Sequence, residues 1–224
     1  MKSRAIVAID GPAGAGKSTV ARMLAKRLGY LYIDTGAMYR ALTLKALERK
    51  IDLEDEGAVT GLAEETEILL VPQDGTEIRV YCDGRDVTSA IREPEVSRQV
   101  SRVAKVPGVR ARMVELQRRM AERGGIVMDG RDIGSYVLPG ADYKFFLTAS
   151  LEERTRRRWQ ELRDRGIHTD FEQLKKEMAA RDAMDSRRPV APLIKAPGAL
   201  EIDTSNLEPE EVVEIILKHM EEGR

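Results

Sequence analysis

The sequence predicts an α/β protein: a parallel sheet flanked by helices, interrupted by a small antiparallel β insertion. Three observations carry this. The run Ala5 to Ile9 is apolar without a polar break, the pattern of a strand buried on both faces. A glycine-rich stretch, Gly11 to Lys17, then leads into helical periodicity from Ser18 to Leu28, so a strand feeds a helix as at the start of a βαβ unit. Between Ile68 and Cys82 the apolar residues turn to strand-like runs and alternation, bracketed by Asp-Gly pairs, which marks hairpins rather than crossovers.

The elements follow in order. The first helix carries Val20, Met23, Leu24 and Leu28 on its apolar stripe and stops at Gly29. Tyr30-Leu31-Tyr32-Ile33 reads as a second strand, with a helix from about Gly36 to Lys50. Ile68-Leu69-Leu70-Val71 before Asp74-Gly75, and Ile78, Val80 and Cys82 before Asp83-Gly84, give a two-hairpin meander within an insertion of about residues 62–92. Two helices split by Pro107-Gly108 follow, and parallel strands resume at Ile126-Val127-Met128 and Tyr143 to Leu147. Helices at about 151–165 and 170–184, a loop marked by Pro189, Pro192 and Pro197, a last strand Leu200-Glu201-Ile202 and a helix opened by Pro209 complete the chain.

A length of 224 residues suits one domain with an insertion, and 42% hydrophobic residues supply its core without disulfides. The lone Cys82 excludes an internal disulfide framework and a multi-cysteine zinc cluster, and fits a reducing compartment. No apolar run approaches the roughly 18–20 residues a membrane span needs, and the first ten residues lack a signal-peptide pattern, so the expectation is a soluble, cytoplasmic protein. The formal net charge is -1, yet 26 of the 37 basic residues are arginine. Nine fall between Arg92 and Arg131 and nine between Arg154 and Arg188. Arginine pairs bidentately with phosphate, so the clusters call for a phosphorylated ligand or a nucleic acid.

Gly11-Pro12-Ala13-Gly14-Ala15-Gly16-Lys17-Ser18, followed by Thr19, matches G-x-x-x-x-G-K-[ST] between a strand and a helix. Its backbone N–H groups and the helix N-terminus suit phosphate, Lys17 the β- and γ-phosphates of a nucleoside triphosphate, and the Ser18 hydroxyl Mg²⁺. The expected fold is therefore of the P-loop NTPase type. The only asparagine, Asn206, precedes Leu207, so no Asn-Lys-x-Asp guanine-reading motif exists, and neither histidine belongs to a His-Arg-Asp catalytic loop. Asp34 to Arg40 and Asp129 to Gly134 each end a parallel strand, where ligands of such sheets bind. Arg40 and Arg131 suit an acceptor's phosphate and Asp132 its ribose, while Asp129 is the carboxylate expected to hold Mg²⁺ through water. Arg154, Arg157 and Arg158 share a helix face by spacing.

The phosphate loop, the two segments just named, and Arg181-Asp182-x-x-Asp185-x-x-Arg188 with Val190-Ala191-Pro192-Leu193 together resemble bacterial cytidylate kinase over essentially the whole chain. The resemblance implies transfer of the γ-phosphoryl group of ATP to CMP or dCMP. It implies a single domain: a core of about 1–61, 93–150 and 190–224, a nucleoside-monophosphate-binding insertion of about 62–92, and a mobile lid of about 151–170. Thr35, Arg40, Ser101, Arg110, Arg131, Asp132, Arg181, Asp185 and Arg188 would surround CMP. Thr35 stands where relatives often carry serine, and keeps the hydroxyl. In that frame Asp185 would accept from cytosine N4, with Ser101 and Arg110 serving N3 and O2. Lys17, Arg131, Arg154, Arg157, Arg158 and Arg188 would attend the transferred phosphate. A monomer acting on small molecules is expected, without nucleic acid or membrane partners. Acidic Glu152, Glu153, Glu161 and Asp164 dilute any basic stripe along the Arg154 helix. Dephospho-coenzyme A kinase or shikimate kinase would share the loop but not the Ser101, Arg110 and Asp185 set or the insertion.

Overall fold

The computed structural model describes residues 4–73 and 78–223. Strands β1 (Ile6–Asp10), β2 (Leu31–Asp34), β6 (Ile126–Gly130), β7 (Tyr143–Thr148) and β8 (Leu200–Asp203) form one parallel sheet in the order β2-β6-β1-β7-β8. The central place of β1 accounts for its unbroken apolar run. Val7 and Ile9 face one layer with Val20, Leu24, Phe145, Val212 and Ile216, while Ala8 faces the other with Ile33, Val114 and Met128. Helices α1 (Lys17–Leu28) and α8 (Pro209–Glu222) pack together on the first face. α1 ends at Gly29 in the left-handed conformation, with the Tyr30 amide closing back on Ala25.

Helix α2 (Thr35–Glu48) starts directly from the end of β2, where the Asp34 side chain accepts from the Ala37 amide at 2.9 Å. Helix α3 (Glu56–Glu65), capped by Asp55, has no counterpart in the sequence reading. It buries only Val59, Leu62 and Ala63 and contains Gly57 and Gly61, so its periodic signal is weak. The antiparallel strands β3 (Ile68–Pro72), β4 (Ile78–Cys82) and β5 (Arg85–Asp86) follow. Asp83 and Gly84, both at positive φ, form the expected tight turn between β4 and β5. The expected Asp74-Gly75 turn lies outside the described residues.

The small sheet has no core of its own. Ile68, Val80 and Cys82 share one apolar cluster with Met38 and Leu42 of α2, Val59 and Leu62 of α3, Val100 and Val103 of α4 (Pro94–Ala104), and Met113 of α5 (Pro107–Ala121). Pro94 and Pro107 each occupy a first helical turn, which needs no amide there. Gly108 lets α5 approach α3: a Cβ at that position would stand 2.3 Å from Thr60. After β6 the chain makes a five-residue π-helical turn, Ile133–Val137, also unanticipated. Helices α6 (Leu151–Asp164) and α7 (Phe171–Arg187) form a hairpin with a small core of Leu162, Leu174 and Met178. α7 runs to Arg187, beyond the expected end near 184, so Arg181 and Asp185 lie one turn apart on the same helix.

Candidate active site

Strands β1, β2 and β6 end side by side, so the segments after them meet. Between these segments and α4, α6 and α7 lies a cavity of about 370 Å³. Eight arginines and one lysine line it against four aspartates and one glutamate. The cationic excess that the net charge conceals is concentrated here.

At one end is the loop between β1 and α1. Gly14 and Gly16 are left-handed, at φ 79° and 81°, and Gly11 has φ 146°. A Cβ on Gly11 would stand 1.9 Å from the Leu147 carbonyl oxygen, so β7 itself demands glycine there. Lys17 is buried and its Nζ donates to the Pro12 carbonyl at 2.7 Å. Burial, with Arg131 beside it, pulls the ammonium well below its ordinary value. Loss of water and the same Arg131 bring Arg181 down to about 10. Cations crowded in this way favour an anion between them.

Ser18 Oγ donates to Asp129 Oδ2 at 2.9 Å, and the Tyr32 hydroxyl to Asp129 Oδ1 at 2.8 Å. Burial, then the neighbouring Asp34, push the Asp129 carboxyl up to about 6. Thr35 Oγ1 donates to the Asp129 carbonyl at 2.7 Å, which ties the start of α2 to β6. Gly130 permits this contact, since a Cβ there would be 2.8 Å from Thr35 Oγ1. Arg40 pairs with Asp34 at 3.0 Å.

Two further carboxylates organise the rest. Asp185 accepts from Ser101 Oγ at 3.0 Å and from Arg131 Nε at 3.1 Å. Its burial opposes ionisation, but Arg131, Arg181 and Arg188 together hold the carboxyl below its ordinary value. Asp132 pairs with Arg110 and, at 2.9 Å, with Arg188. Arg110 is 1% exposed and its guanidinium stands 5.9 Å from the Tyr39 ring centroid. The groups whose charges act on Lys17 are Arg131, Asp129, Arg181 and Asp10, whereas those acting on Tyr39 are Arg110, Asp132 and Arg188. The cavity therefore has a phosphate-loop end and a far end built on Arg110 and Asp132. Among the described residues the buried Nε atoms of Arg40, Arg110 and Arg181 have no hydrogen-bond partner, which suits ligand contact.

The structure thus gathers Lys17, Ser18, Thr19, Thr35, Arg40, Ser101, Arg110, Asp129, Arg131, Asp132, Arg157, Arg158, Arg181, Asp185 and Arg188 around one cavity. Of the three arginines that share a face of α6, Arg157 and Arg158 line the cavity and Arg154 lies behind the phosphate loop. Arg154 is buried, donating to the carbonyls of Ala149 and Ala13 and pairing with Asp182 at 2.6 Å. Arg157 turns toward Glu153 and Thr204, and Arg158 pairs with Glu161 at 2.6 Å at the cavity wall. Sequence reasoning missed Tyr32, Tyr39, Arg92, Ser97 and Glu161 as neighbours of the site, and Asp10 beneath it. For Asp10 a signal existed, because it is a carboxylate ending an apolar strand, the same pattern that drew attention to Asp129.

Residues 7–222 match the family model described as Cytidylate kinase. The chain is 55% identical over 217 residues to the cytidylate kinase of Desulfitobacterium hafniense, covering 97% of this chain and 93% of that protein. It is 56% identical over 222 residues to the cytidylate kinase of Geobacillus kaustophilus, covering 99% of each. A solved structure of an uncharacterized protein from Eubacterium ventriosum superposes over 98% of this chain and 99% of its own, with a TM-score of 0.53 at 12% identity, a likeness of fold alone. The match over nearly the full length, on a fold that brings the quoted motifs to one cavity, shows that the chain belongs to the cytidylate kinase family.

Proposed function

We propose that the protein transfers the γ-phosphoryl group of ATP to CMP or dCMP, giving ADP and CDP or dCDP. The observation that carries this is the single cavity with a phosphate-binding loop at one end and a buried guanidinium–carboxylate cluster at the other. Gly11 to Thr19 hold the triphosphate. Thr35, Arg40, Arg131, Arg181 and Asp185 hold the acceptor's phosphate and ribose, with Ser101, Arg110, Asp132 and Arg188 around its base.

Here the two carboxylates exchange the roles expected from sequence. Asp132 stands with Arg110 at the far end, where a nucleotide entering phosphate-first puts its base, so it takes the cytosine amino group while Arg110 donates to the ring acceptors. Asp185, between Arg131 and Ser101, lies nearer the phosphate end.

An oxygen of the CMP phosphate, already anionic, attacks the γ-phosphorus. The new P–O bond forms as the bond to the ADP oxygen breaks, so no general base is needed. Lys17, Arg131 and Arg188 offset the charge, and the lid of about residues 151–170, with Arg157 and Arg158 on α6, closes over the donor and keeps water out. The oxygen donors Ser18 and Asp129, beside Asp34, fit a hard divalent cation, and Mg²⁺ there would neutralise the triphosphate.

No helix among the described residues is long and apolar enough to cross a membrane. The working form we infer is a cytoplasmic monomer with nucleotide substrates only. The deciding experiment measures ADP release with CMP, dCMP, UMP, AMP and shikimate in parallel. CMP and dCMP should exceed the others in kcat/KM by at least tenfold; equal or greater turnover of shikimate or AMP overturns the assignment.

A further inference from the structure

Asp10 is the last residue of the central strand β1, 2% exposed, and lies beneath the cavity without lining it. Its two carboxylate oxygens accept from two consecutive backbone amides of another segment: Oδ1 from Ile133 and Oδ2 from Gly134, both at 2.8 Å. These amides open the π-helical turn that follows Arg131 and Asp132. Like the first amides of any helix, they have no carbonyl partner within the turn; its own bonds begin at Tyr136 and Val137, which donate to the Asp132 carbonyl.

The usual supplier of such a cap is the residue at the N-cap position, and an aspartate, Asp132, occupies it. Yet the Asp132 side chain makes no capping bond. It points instead to Arg110 and Arg188. One carboxylate cannot serve the turn and the cavity together, so the capping has passed to Asp10 from the neighbouring strand.

We propose that Asp10 is a positioning residue: its carboxylate brackets the Ile133–Gly134 amides, so that Asp132 is free to face the acceptor and the Arg131–Asp132 pair is fixed relative to the phosphate loop. The sheet alone does not fix that relation. The β1–β6 ladder ends at Asp10 opposite Gly130, and beyond it the two chains diverge into the donor loop and the acceptor segment. Asp10 lies at the root of the first and grips the second. Only an ionised carboxylate offers both oxygens as equal acceptors; an amide presents one oxygen and one N–H₂, which would confront an amide N–H. Burial, with Asp132 nearby, pushes the Asp10 carboxyl up to about 7, and Lys17 of α1 is the cation that opposes this.

The inference rests on Arg131 and Asp132 binding the acceptor, and its test separates the two ideas. Asp10→Asn and Asp10→Ala are compared with Asp132→Asn by titration calorimetry and steady-state kinetics. For the Asp10 variants CMP Kd and KM should rise at least tenfold, while ATP Kd stays within about threefold and kcat changes less than KM. A purely structural role would lower Tm without splitting CMP from ATP, and that result overturns the inference. If Asp132→Asn leaves CMP binding unchanged, the acceptor assignment itself fails. Should neither Asp10 variant fold, amide hydrogen exchange on the wild-type protein decides. Ile133 and Gly134 should be protected at pH 8 as strongly as the β6 amides, and free exchange at both overturns the bracket.

Discussion

Lys17 is the clearest single residue, because its surroundings suit a bound anion. A buried ammonium beside Arg131, with its ordinary affinity for protons lowered, is a cost that folding alone does not require. Lys17→Ala should lower kcat about a thousandfold, near 4 kcal/mol of transition-state stabilisation. Its Tm, measured without nucleotide, should hold or rise. In the proposed arrangement Asp132 and Asp185 have different tasks: Asp132→Asn should reduce the CMP-to-UMP ratio of kcat/KM about a hundredfold or more, since the wrong base leaves buried polar groups unpaired. Asp185→Asn should raise CMP KM about tenfold with that ratio nearly unchanged. Asp10 adds a pH dependence. Its folded value of about 7 lies above the ordinary 3.8, so the folded state holds the proton more tightly than the unfolded chain. The resulting stabilisation is complete below about pH 4 and is lost as pH rises through 7. Relative to Asp10→Asn, which does not titrate, the wild-type protein should lose about 3 kcal/mol of stability between pH 5 and 8, read by denaturant melts at each pH. Residues in the contiguous phosphate loop were legible because the motif needs no tertiary partner. Asp10 could be singled out as a carboxylate ending an apolar strand, but its task could not, because the amides it serves lie 123 and 124 positions away.

Among elements, the phosphate loop and the hairpin turn show why glycines that both hold a positive φ differ in consequence. Gly84 has φ 77° and open space around its missing side chain, so Gly84→Ala should cost only the left-handed penalty, about 1 kcal/mol. Gly11 has β7 backbone where a Cβ would go, and backbone cannot step aside as a flexible side chain does. Gly11→Ala should cost more than about 3 kcal/mol and abolish nucleotide binding, as thermal melts with and without ATP would register. Strands β1, β4, β6 and β7 and the long helices follow from apolar periodicity. Helix α3 and the π-helical turn do not. The first is glycine-bearing and held by packing against α5; the second is capped from another strand. Both are stabilised by contacts that a local reading cannot contain. The arginines of α6 teach the same lesson: helical spacing puts Arg154, Arg157 and Arg158 within one turn, but only their tertiary partners decide that Arg157 and Arg158 line the cavity while Arg154 is buried between Asp182 and the Ala13 carbonyl.

For the molecule as a whole, the α6–α7 hairpin has its own small core and meets the phosphate loop through Arg154 and Ala13. The chain's one tryptophan, Trp159, lies in that hairpin, bonded to the Thr169 carbonyl and edge-on to Phe171. Its fluorescence should therefore report closure, changing when ATP is added and further when CMP joins it, with CMP alone having a smaller effect; a signal indifferent to ATP would deny that this hairpin is the lid. The sequence by itself determined the parallel sheet, the phosphate loop and the family, because strand periodicity, glycine geometry and motif order are properties of short contiguous segments. It also located the arginines, though not their use. Only the tertiary structure decided that Asp132 stands with Arg110 and Asp185 with Arg131, that Asp10 caps the turn after β6, and that a chain of net charge -1 sets nine of its 37 basic residues against five acidic ones around one cavity. Side-chain direction and pairing across the sheet depend on which strands become neighbours, and β1 and β6, paired side by side, are separated by more than a hundred residues of chain.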